Sequence, residues 1–155
     1  MFSILKLLFL SLFFYSPLIK SSDYIFIESE NFFDLKVKLA INQEDKKKGL
    51  MHVEGLEGYE GMLFVYEIPQ KVNIWMHNTV LPLDIVFIDE NNEVYLIKVG
   101  VPQSKKLNSS EIKVKAVLEI PRNCTKEVGI AKGDKLIWYK HKKKQNKEYY
   151  HCIDS

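Results

Sequence analysis

The period of apolar and polar positions changes several times along this chain, and the changes mark its elements. Over 34–41 the run DLKVKLAI puts Leu35, Val37, Leu39 and Ile41 on one side with Lys36 and Lys38 on the other, which predicts a half-buried strand. Asn42 then offers a side-chain acceptor to open a helix. Glu44 and Asp45 stand in its first turn, Lys46 to Lys48 in its last, and Gly49 is placed to close it. After a Gly- and Glu-rich loop over 53–60, apolar runs predict strands over 62–66, 72–77, 84–88 and 93–99. Asp89, Glu90, Asn91 and Asn92 between the last two form a hairpin turn, because Asn and Asp tolerate positive φ and bond their own backbone. A strand over 113–120, a helical turn over 125–128 and a last strand over 135–139 complete the pattern. Short strands joined by turns, with brief helices, place the fold class as mainly β or α+β. The expected form is a compact single domain, a small β-barrel or two-sheet sandwich with one or two short helices.

The front of the chain follows another pattern. Met1 to Lys6 supply a short start with one Lys, and Leu7 to Tyr15 form an apolar block interrupted by Ser11. A charged start before such a block is the layout of a secretory signal. A membrane-spanning helix wants about 20 apolar residues, and Ser16, Pro17 and Lys20 close this one early. Residues 1–22 are therefore expected to be a signal peptide or an uncleaved anchor, 23–139 the folded domain and 140–155 a basic C-terminal tail. The expected location is the periplasm or the outside of the cell. A chain of 155 residues suits one such domain.

Charge narrows the partners. Loss of Lys6 and Lys20 with the leader brings the basic residues level with the 20 acidic ones, so the remaining net charge is zero. The imbalance that persists is local: Lys140, Lys142, Lys143, Lys144 and Lys147 crowd the end. Such a run is ordinarily a solvated tail, so no nucleic-acid partner is expected, and membrane contact only through an uncleaved leader or this tail. Cys124 and Cys152 are the two cysteines. In an oxidising compartment they can close one disulfide; the alternative is a pair of free thiols.

The chain lacks a phosphate-cradling Gly loop, G-x-S-x-G, H-E-x-x-H and C-x-x-C. His52, His77, His141 and His151 show no ligand spacing, so no metal and no cofactor are expected. Trp75 shares a strand face with Asn73 and His77, which makes it either a stacking platform beside polar groups or the cover of a second small core. Asn78, Thr79, Pro82 and Asp84 form a polar knot before an apolar strand. Asp84 either pins the loop, with Asn78 and Thr79 as nearby donors, or stands as a carboxylate at a cleft. Glu119 points away from the apolar face of its strand, either solvated near Lys115 or sharing a cleft with Asp84. The candidate ligand-binding set is thus Trp75, His77, Asn78, Thr79, Asp84 and Glu119. It supports a binding or accessory protein of the cell envelope that holds a small polar ligand or an envelope protein. The alternative is a hydrolase or lyase with Asp84 and Glu119 as acid and base.

Several segments, in order, carry a resemblance to a known family. They are Lys48 to Met51, Gly61 to Phe64, Trp75 and Met76 followed by Asn78, Thr79 and Pro82 to Ile85, then Phe87 to Asp89, Val117 to Pro121, Gly129 and Ile130, and Gly133 and Asp134. Between Val37 and Trp138 the chain resembles the domain-of-unknown-function family 192, small and often exported proteins. The resemblance implies a compact β-rich domain with no established cofactor, and it transfers no catalytic residue. Lys48 and Val53 stand where the family pattern often has arginines, Ile74 where it often has Phe, and Asn123 where Gly is usual. Loss of an arginine at position 53 puts any anion site built on it in doubt.

Overall fold

The computed structural model describes residues 24–29, 35–140 and Cys152. The expected leader over 1–22 and the tail beyond Lys140, save Cys152, lie outside the described residues. The elements in chain order are β1 (Tyr24–Glu28), β2 (Leu35–Ala40), α1 (Gln43–Lys48), β3 (Met62–Gln70), β4 (Asn73–Trp75), β5 (Leu83–Ile88), β6 (Val94–Gly100), β7 (Leu107–Ser109), β8 (Val114–Pro121), α2 (Cys124–Val128) and β9 (Ile137–Tyr139).

Seven strands form one sheet in the order β6-β5-β8-β3-β2-β1-β9. Only β2 and β3 run parallel among these neighbours, because α1 and the loop after it carry the chain back to its starting end. The two sheet edges approach one another. Val94 N–H donates to the Asp134 carbonyl at 2.8 Å, Gly133 N–H to that of Val94 at 2.8 Å and Leu136 N–H to that of Asn92 at 2.9 Å. The sheet therefore curls into a half-barrel. Val94 and Leu136, one from each edge, join Ile27, Leu35, Leu63, Leu118 and Ile120 in a single apolar cluster. The opposite sheet face carries Phe64, Ile85 and Phe87. It is covered by Leu50, by Ile74 from the smaller β4–β7 sheet and by Met76 just after β4.

Local chemistry follows the sequence closely at α1. Asn42 accepts from Asp45 N–H at 2.7 Å, and Gly49, at φ 48°, closes the helix. The hairpin also stands: Asp89 Oδ1 accepts from the Asn91 and Glu93 amides, both at 2.9 Å, and Asn92 sits at φ 67°. Asn123 takes φ 71°, the left-handed conformation that the usual Gly would also meet. Two strands escaped the pattern. In β1, Ile25, Phe26 and Ile27 are all buried, because neighbours cover both faces and erase the alternation. In β7, LNS has no apolar signal, and its place is set by Ser110 instead. The Ser110 hydroxyl accepts from Val72 N–H at 3.0 Å while its own amide donates to the Val72 carbonyl at 2.9 Å.

The cysteines come together. Cys124 at the start of α2 and Cys152 form a disulfide with their Cα atoms 5.4 Å apart, so the free-thiol alternative is set aside. Cys152 is buried in the cluster enclosed by the curled sheet, and its amide donates to Glu60 Oε2 at 2.9 Å.

Candidate functional site

Glu119 sits third from the end of β8, paired with Met62 of β3 on one side and Ile85 of β5 on the other. Gly61 makes the first pairing possible, since a Cβ at its φ of 146° would collide with the Glu119 carbonyl. The solvated reading of Glu119 is corrected here: the residue is 5 % exposed, and Lys115 turns away to Asn92 Oδ1 at 2.9 Å. Burial among apolar neighbours pushes the Glu119 carboxyl up to about 8 from its ordinary 4.5. Its charge joins burial in raising the Tyr66 hydroxyl to about 12, burial being the larger cause.

No hydrogen bond or ion pair from the described residues holds the Glu119 carboxyl, which opens onto a cavity of about 250 Å³. Trp75, Asn73 and Thr79 line that cavity with it, and Lys46, Lys47 and Lys48 come in from the end of α1. Phe64, Leu50 and Ile74 supply apolar wall. Trp75 is 45 % exposed. It lies on the open side of β4, while Val72, Ile74 and Met76 turn into the core. The cover-of-a-core reading therefore does not describe it. His77 stacks on the Trp75 ring at 4.6 Å rather than lining the cavity. Asn73 is held by a hydrogen bond from the Ser109 hydroxyl at 2.6 Å. Asn78 is exposed at φ 60°, and its carbonyl accepts from His52 N–H at 2.8 Å.

Asp84 belongs elsewhere. In the β5–β8 ladder Ile85 faces Glu119 and Asp84 faces Ile120. Residues directly opposite share a face and consecutive ones alternate, so the two carboxyls leave from opposite faces of the sheet. The shared acid and base cleft is thereby removed. The donors to Asp84 are also not Asn78 and Thr79. Its Oδ2 accepts from the Thr125 hydroxyl at 2.6 Å and from Thr125 N–H at 3.2 Å, and its Oδ1 lies 3.7 Å from Arg122 Nε. Asp84 pins the start of α2 to β5, which is a structural task.

A second cavity, of about 280 Å³, lies between Glu54, Gly55, Leu56 and the segment Leu81 to Leu83, with Arg122 at its side. Its wall is largely apolar, and Arg122 already faces Asp84. Of the two, the Glu119 cavity holds a largely buried carboxyl whose oxygens are reached from the cavity and have no described partner. The sequence reading omitted Asn73 and the α1 lysines from the candidate set. Asn73 carried a signal, its shared strand face with Trp75, whereas the lysines read only as helix-end charges. Among the described residues no group of three or more metal-ligating side chains converges.

Comparison with known proteins agrees with this architecture. A crystal structure titled as a putative transcription regulator from Sinorhizobium meliloti 1021 superposes with a TM-score of 0.68 at 31 % identity, covering 74 % of this chain and 92 % of that one. A crystal structure of a protein of unknown function from Novosphingobium aromaticivorans DSM 12444 gives 0.66 at 31 % identity, covering 74 % and 84 %. No curated protein matches. The family model for DUF192, described as Uncharacterized ACR, matches residues 25–138. A half-barrel sheet backed by a small second sheet, matched over that length, gives the conclusion that the chain belongs to the DUF192 family.

Proposed function

We propose that this protein is a binding domain that holds a small polar ligand in the Glu119 cavity, acting as an exported accessory protein of the cell envelope. The observation that carries the reading is the carboxyl of Glu119, buried, unmatched by any described donor and open to the cavity. Burying an ionisable group without a partner costs stability, and a ligand that supplied the partner would recover that cost. Trp75 at the wall adds a flat surface for stacking. Export is supported by the leader pattern of residues 1–22 and by the Cys124–Cys152 bridge, which suits an oxidising compartment. The Sinorhizobium neighbour is titled a putative transcription regulator, whereas the described helices here run six and five residues, shorter than a groove-reading helix of the usual kind. A small-molecule library screened by NMR against the full chain tests the reading. Saturable shifts of the Trp75 indole N–H that disappear in Glu119→Gln are expected, and a library that moves no cavity residue would overturn it.

A further inference from the structure

Taking that binding reading as its base, we infer that the ligand is a small zwitterion of amino-acid size, its ammonium on Glu119 and its carboxylate toward the lysines of α1. The inference rests on the mixed charge of one cavity. Glu119 stands buried and unmatched at one part of the wall, and Lys46, Lys47 and Lys48 stand at another. A plain cation would leave the positive rim of Lys46, Lys47 and Lys48 unanswered, and a plain anion would leave Glu119 a neutral acid with no charged partner. A neutral molecule would leave a desolvated carboxyl to be matched by weaker bonds. A molecule with an ammonium and a carboxylate at its two ends answers both. Phe64, Leu50 and Trp75 leave apolar wall for a side chain, and a Trp face near an ammonium adds cation–π attraction. A cavity of about 250 Å³ falls just below the roughly 300–1,000 Å³ of drug-sized pockets, which suits a free amino acid.

The same arrangement makes binding release a proton. The Glu119 acid gives up its proton to solvent as the ammonium arrives and pairs with the carboxylate formed, so charge and protons balance. The other titratable or charged groups around it are Lys46, Lys47 and Lys48 on α1 and Tyr66 on β3, with His77 behind Trp75.

Titration of the full, disulfide-closed chain with L-leucine, 3-methylbutylamine, 4-methylpentanoate and 4-methylpentanamide, followed on the Trp75 indole signal, tests the assignment. L-Leucine is expected to bind at least tenfold more tightly than the amine or the acid alone, and Glu119→Gln to weaken it at least tenfold. Below the carboxyl's raised pKa of about 8, only the ionised fraction is competent, so affinity should rise about tenfold per unit between pH 6 and 7. The same slope in His77→Gln assigns it to Glu119. Tight binding of the amine, the acid or 4-methylpentanamide in place of L-leucine overturns the zwitterion and leaves the small-ligand reading standing. L-Leucine binding that survives Glu119→Gln unchanged overturns the assignment of the ammonium. No response to any of the four compounds overturns the zwitterion, and the broader screen then decides the base reading separately.

Discussion

Glu119 stores a pH dependence in the fold. Its folded pKa of about 8 lies above the ordinary 4.5, so the folded protein keeps this proton where the unfolded chain has lost it. The contribution is fully present below pH 4.5 and is lost as pH rises towards about 8, by up to about 1.4 kcal/mol per pH unit. Glu119→Gln is expected to remove this slope and to be the more stable protein at pH 8; denaturant midpoints of both proteins across this range measure the difference. Trp75→Ala should cost only about 1 kcal/mol, against the roughly 3–5 kcal/mol of a buried Trp, because its ring is 45 % exposed. A loss of core size in chemical unfolding would contradict the surface position. Asp84→Ala strands the Thr125 amide and hydroxyl and should cost about 1–3 kcal/mol, with Asp84→Asn milder. The calorimetric Tm orders the three proteins.

At the level of elements, the disulfide offers the sharpest expectation. The bridge closes a loop of 28 positions and ties the chain end to α2, which in the loop-entropy model stabilises by roughly 3–4 kcal/mol. Cys152→Ser should lower the unfolding free energy by that amount, and mass spectrometry after denaturing alkylation without reductant should find no label on the wild type. Elements were legible where a local signal coincided with the tertiary environment: the Lys36 and Lys38 alternation gave β2, and Asn42 with Gly49 bounded α1. β1 was hidden because burial on both faces removes any period, and β7 because Ser110, outside the strand, sets its place. The cavity was legible in part. Trp75, Thr79 and Glu119 were singled out and do line it. Asp84 was grouped with Glu119 wrongly, since the face of one residue relative to another across two strands depends on the β5–β8 register, a nonlocal quantity that no short pattern carries.

On the scale of the molecule, the leader reading has its own outcome: protein recovered from the envelope fraction of expressing cells is expected to begin near residue 23, as read by N-terminal sequencing, and recovery of intact Met1 from the cytosol would refute export. The pairing of β1 with β9, Phe26 against Tyr139 and Glu28 against Ile137, bears on the order of synthesis. β1 pairs with β2 early, but its other edge waits for β9, far along the chain, and Cys152 fills the enclosed core only after that. Until then the growing chain has an open edge and an unfilled interior, so the domain cannot close while its C-terminal part is still on the ribosome. Under the export proposed above, that delay keeps the chain threadable during translocation. Nascent chains halted before β9 should accordingly remain fully sensitive to protease, and the released chain should become resistant.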